Sequence, residues 1–96
     1  MKIDLLPKRF QVGAQEYKIK MVDKIDVLDN KYGLLDCTNN LIYIQNNLSW
    51  DKTRHTLRHE QVHVVLCALG LDELNQNEAF VDNFALILDQ ILETER

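Results

Sequence analysis

"SWDKTRHTLRHEQVHVVLCALG", Ser49 to Gly70, decides the fold. Ser49 is a good N-cap for a helix that starts at Trp50. Asp51 in the first turn suits the positive end of the helix dipole. Gly70 is a natural stop, because it takes the left-handed conformation that ends many helices. These signals predict one long helix over about residues 50–69. Within it lies His59-Glu60-Gln61-Val62-His63. Helical residues four apart share a face, so His59 and His63 point the same way, close enough to share a tetrahedral zinc ion. Glu60 follows the first histidine, where its carboxylate can take a proton from water. Zinc lowers the pKa of a bound water to about 7, which makes a nucleophile available at neutral pH. The motif has three fixed residues in five and also recurs by chance. The bland reading is a helix with two surface histidines. A third ligand decides between them.

Working outward on the C-terminal side, a second helix is predicted over about residues 76–93. Val81, Phe84, Ala85, Leu88 and Leu92 recur at helical spacing, and Phe80, Ile87 and Ile91 widen the stripe. The short connection at Gly70–Leu71 makes the two helices antiparallel neighbours. Positions whose numbers share one sum then face each other. That pairs His63 with Glu78 and His59 with Asp82. Glu78 is thus the expected third ligand of a His₂Glu site with one open position. Asp82 is expected to accept a hydrogen bond from the other ring nitrogen of His59 and so fix its tautomer. A one-turn displacement of the second helix would make Asp82 the ligand or bring in Glu73.

Upstream, Phe10 to Val22 alternates loosely, with Gly13-Ala14-Gln15 as the interruption, which predicts a hairpin of two short strands. "DVLDNKYGLLDCTNNLIYIQNN" reads as a second strand pair, with turns at Asp29-Asn30 and Thr38-Asn39-Asn40. The order is strands first, then two helices. The expected class is α+β: a small antiparallel sheet of three to four strands followed by two packed helices. Leu41, Ile42, Tyr43, Ile44 and Gln45 are expected to form an edge strand that pairs with an extended substrate peptide.

The bulk composition limits the alternatives. A chain of 96 residues is expected to make one compact domain. The net charge is −4 and no basic run or stripe appears, which argues against nucleic acid as the main partner. No apolar stretch approaches the roughly 20 residues that a membrane helix needs. "MKIDLLPKRF" lacks the apolar centre of a signal peptide, and Cys37 and Cys67 belong to no CxxC pair. A reduced, cytoplasmic protein is the expectation. His55 is expected at the site rim, and Cys67 in the core as a small hydrophobe. Arg54 and Arg58 are expected on a solvated helix face. Trp50, Tyr32 and Tyr43 are expected to pack, although one tyrosine could donate to the developing oxyanion.

"NEAFVD", Asn77 to Asp82, resembles the Asn-Glu-x-x-x-Asp segment of gluzincin metallopeptidases. "TLRHEQVHVVL" followed by "NEAFVDNFALIL" resembles the ImmA/IrrE-like metallopeptidases, including small phage-borne members whose strand-rich start is similar to "YGLLDCTNNLIYIQ". The family's Glu-x-x-Ala-Asn-x-Phe-Ala pattern is met by Glu78-Ala79-Phe80-Val81-Asp82-Asn83-Phe84-Ala85, with Val and Asp in place of Ala and Asn. The resemblance implies a zinc metallo-endopeptidase in the cytoplasm of a bacterial host. It implies His59, His63 and Glu78 as ligands, Glu60 as catalytic base and a phage or mobile-element repressor as a target. The competing reading is a non-catalytic protein-binding module on the same scaffold, with a structural or vestigial zinc.

Overall fold

The computed structural model describes residues 6–25 and 32–95. The expected first hairpin forms. β1 (Arg9–Val12) and β2 (Gln15–Val22) pair antiparallel, from Arg9 opposite Lys18 to Val12 opposite Gln15. Gly13 makes the turn at φ 59°, a left-handed value that favours glycine. Phe10 and Tyr17 stand opposite each other and stack at 5.5 Å between ring centroids. β3 (Gly33–Asp36) and β4 (Leu41–Gln45) form the second antiparallel pair. The Asp36 carboxylate accepts hydrogen bonds from the backbone N–H groups of Thr38 and Asn39 in the turn between them. Those bonds and the Asn39 side-chain amide hold the Asp36 carboxyl below the usual carboxylate range, the Asn39 side chain contributing most. The expected turn at Asp29-Asn30 lies outside the described residues.

Two expectations about the sheet are corrected. The strand order is β1-β2-β4-β3, and β2 pairs with β4 in parallel, so the sheet is mixed rather than antiparallel. Leu41, Ile42, Tyr43, Ile44 and Gln45 are not an edge strand. They bond to β2 from Lys18–Leu41 to Val22–Gln45, and to β3 from Gly33–Ile44 to Asp36–Leu41. The physical reason is visible in the burial. Ile42 and Ile44 are wholly buried and Leu41 and Tyr43 half-buried, as suits a strand with neighbours on both sides. The edge strand beside the helices is β3.

α1 (Trp50–Leu69) lies across the sheet. The Ser49 hydroxyl accepts from the Lys52 N–H at 3.2 Å, and Gly70 ends the helix at φ 70°. The Gly70 and Leu71 N–H groups return to the Cys67 and Leu66 carbonyls, which satisfies the last turn. α1 buries two sides. Leu57 and Val64 join Tyr17, Ile42 and Ile44 in the core against the sheet. Val62 and Leu66 pack against Val81 and Ala85 of the last helix. A one-turn helix, α2 (Asp72–Asn75), occupies the connection, and α3 (Glu78–Thr94) follows with Asn77 as its cap. No helix among the described residues is long and apolar enough to cross a membrane.

The apolar stripe of α3 is only half used. Phe84, Ile87 and Ile91 are more than half exposed, and Leu92 is exposed too. The buried line continues instead from Val81 and Ala85 to Asp89. Arg54 explains this, because its Nε donates to the Asp89 carboxylate at 2.9 and 3.1 Å, with Arg58 3.7 Å away. That pairing raises the Arg54 guanidinium above its ordinary range. Arg54 and Arg58 are therefore helix-to-helix anchors rather than a solvated face. Removing the wholly buried Leu57 side chain, which joins α1 to the sheet, tests the core. Leu57→Ala should lower the free energy of unfolding by about 2–5 kcal/mol in a denaturant titration.

Candidate metal centre

α1 presents His59 and His63 one turn apart, with ring centroids 5.0 Å apart. α3 runs alongside and brings Glu78 between them. Glu78 Oε2 lies 3.2 Å from His59 Nε2, and Glu78 Oε1 lies 3.4 Å from His63 Nε2. The antiparallel pairing read from the sequence is the one observed, and α2 does not shift α3 by a turn. One ligand atom from each of His59, His63 and Glu78 falls within 4.8 Å of the others, so this group could hold a metal ion. Among the described residues no other such group occurs, and Glu73 takes no part.

The remaining ring nitrogens also face oxygen. His59 Nδ1 lies 3.4 Å from Asp82 Oδ1, in the place expected for the supporting carboxylate. Asp82 Oδ1 also lies 3.2 Å from Nε2 of His55, which is thus at the site rim as expected. The hydrogen bond from His55, more than that from His59, holds the Asp82 carboxyl below its usual range against the opposing effect of burial. His63 Nδ1 meets the Asn75 side-chain oxygen at 2.6 Å. Sequence reasoning missed Asn75. It sits in α2, between the two periodic helices, where no spacing rule reaches it.

These contacts test whether the residues fit a cation. Both nitrogens of His59 face carboxylate oxygens, and those of His63 face a carboxamide oxygen and a carboxylate oxygen. A neutral imidazole has one N–H, so each ring has one lone pair directed at oxygen. Two extra protons or one dication would balance the arrangement. With Nδ1–H of each ring given to Asp82 or Asn75, both Nε2 lone pairs converge on Glu78. Ligand atoms around a tetrahedral ion with bonds of roughly 2.0–2.1 Å lie about 3.3 Å apart, and the two Nε2–carboxylate distances match that. Asn75→Ala should leave the fold intact and weaken metal binding by about 10- to 100-fold, as read by competition against a chromogenic chelator.

The centre lies in a cleft of about 690 Å³ whose other wall is the start of β3 and Tyr32. Glu60 lines the same cleft and is only 7% exposed. Gly33 of β3 lies directly over it. A Cβ built on Gly33 would stand 2.6 Å from Thr56 Cγ2 and 3.1 Å from Glu60 Oε2. The absence of a side chain there is what lets the strand approach the helix at Glu60. Of the three tyrosines, Tyr32 is the one on the cleft wall, with the Lys52 ammonium 4.6 Å from its ring centroid. Leu41 to Gln45 contribute nothing to this wall. Cys67 is not a core thiol as expected: it is exposed, and its Sγ lies 3.5 Å from that of Cys37, which borders the cleft.

Comparison of this chain with protein-family models, with curated proteins and with solved structures finds no match.

Proposed function

We propose that the protein is a zinc-dependent endopeptidase. The observation that supports it most is the convergence of His59 Nε2, His63 Nε2 and a Glu78 carboxylate in a cleft that also contains Glu60. Zinc suits this set of two imidazoles and one carboxylate, and when bound it would supply Lewis acidity toward a peptide carbonyl and toward water. Asp82 and Asn75 hold the two imidazoles in the tautomer that leaves Nε2 unprotonated. Glu60 takes a proton from the attacking water and gives it to the amine of the leaving peptide, as a positioned general base and then acid. In this reading Tyr32, the tyrosine on the cleft wall, donates a hydrogen bond to the oxyanion.

The peptide-binding strand in this reading is β3, not Leu41 to Gln45. β3 ends the sheet, so its outer backbone groups are available to an extended chain lying along the cleft. The resemblance of "TLRHEQVHVVL" and "NEAFVDNFALIL" to ImmA/IrrE-like metallopeptidases extends the proposal to a phage or mobile-element repressor as substrate. The test is incubation of zinc-loaded protein with candidate repressors and with a fluorogenic peptide library. Cleavage that stops with a chelator and returns with zinc supports the proposal. A second reading, a binding module without turnover, draws on the uncovered apolar face of α3 at Phe84, Ile87 and Ile91. Stable repressor binding with no cleavage under the same conditions would favour it.

A further inference from the structure

Cys37 and Cys67 are 30 positions apart in sequence, yet their sulfurs lie 3.5 Å from each other. Both residues are exposed to solvent. Each stands on a held element. Cys37 follows the last residue of β3 and opens the turn that Asp36 ties down at Thr38 and Asn39. Cys67 lies on α1, one turn beyond His63, and its carbonyl accepts from the Gly70 N–H at the end of the helix. A disulfide needs about 2.05 Å between sulfurs, so the pair has to close by roughly 1.5 Å. That is within the reach of side-chain adjustment at two exposed positions.

We propose that Cys37 and Cys67 are a modification site, an oxidisable dithiol whose disulfide fastens the end of β3 to the helix that carries His59 and His63. The oxidant is a small-molecule disulfide of the glutathione type. The thiolate of one cysteine attacks one sulfur of the oxidant. The oxidant's S–S bond breaks, and one glutathione leaves as its thiol after taking up a proton. The second cysteine loses its proton and attacks the protein sulfur of the mixed disulfide. A protein S–S bond forms, and the second glutathione leaves as a thiol. Two S–H bonds are lost from the protein and two are gained by glutathione, so two electrons pass from protein to oxidant. Partial desolvation first, and the contact with Cys67 second, push the Cys37 thiol up to about 11, which disfavours its thiolate near neutral pH.

The site does not depend on the peptidase reading, and its test needs no substrate. The reduced 96-residue chain is incubated with oxidised glutathione, quenched by alkylation, and examined by intact mass, peptide mapping and thermal melting. The expected product is a monomer lighter by two hydrogens, with Cys37 and Cys67 in one crosslinked peptide pair. Closing a loop of this length should raise Tm by about 10 °C or more, reversibly with a reductant. Cys37→Ser and Cys67→Ser should each keep one glutathione per chain and show no such rise. The proposal is overturned by lasting glutathione adducts on both cysteines of the wild type. Disulfides between chains, or no modification at alkaline pH, overturn it equally.

Discussion

Protein purified without chelator should carry about one equivalent of zinc, and His63→Ala should carry almost none. Structural zinc sites with four protein ligands bind with roughly 10–16 kcal/mol of apparent free energy, so one ligand contributes on the order of 3 kcal/mol, or at least a hundredfold in affinity. His63 is well chosen because its loss also strands Asn75, whose side-chain oxygen has His63 Nδ1 as its partner at 2.6 Å. The ring is half-buried and borders the cleft rather than filling the core, so the fold should survive. Metal analysis and circular dichroism on the same samples separate the two effects. A variant that keeps a full equivalent of zinc would remove His63 from the ligand set. Chelation of the wild type should lower its melting temperature, because a cation that holds α1 to α3 stabilises the folded chain by mass action.

The second large effect is kinetic. Glu60→Gln should lower peptide hydrolysis by about 10²- to 10⁴-fold, or roughly 3–5 kcal/mol in the activation barrier, with zinc content unchanged. Glutamine keeps the size of the side chain, which matters because Glu60 is buried beneath Gly33. A smaller residue would empty that contact and confuse loss of the base with movement of β3. Equal cleavage by Glu60→Gln and wild type would take Glu60 out of the chemistry. Loss of zinc from Glu60→Gln would instead mean that Glu60 helps to hold the centre together.

The two long helices and their facing residues were legible because their signals are local. Ser49 and Gly70 bound the first helix, four-residue spacing sets the faces, and a short connection leaves one antiparallel arrangement, while the Asn77 cap of the second helix emerged only in the structure. Those rules are enough to set Glu78 against His59 and His63, and Asp82 against His59. Strand order is not local. Leu41 to Gln45 has the alternation of any strand, and period alone does not say which neighbours it has. The half-buried Leu41 and Tyr43 between two buried isoleucines are the trace of its interior position, and they read equally well as simple apolarity. Asp89 was hidden for the opposite reason. It lies on the apolar line of Val81 and Ala85, where a charge is unexpected until Arg54 is seen across from it. Asn75 and the Cys37–Cys67 contact depend on how the segments between the regular elements are placed, which periodicity does not encode.

The insertion of β4 between β2 and β3 limits when the sheet can close. β2 and β3 share no ladder, so nothing beyond the first hairpin can close into a sheet until the chain has been synthesised through Gln45. β4 must reach β2 past the whole of β3, with a loop-closure cost that local helix formation does not carry. The histidines follow on α1, and Glu78 emerges last of the three residues that could hold a metal ion. On a ribosome, any cation that this group could hold therefore waits for Glu78 to emerge, late in the synthesis of the 96 residues.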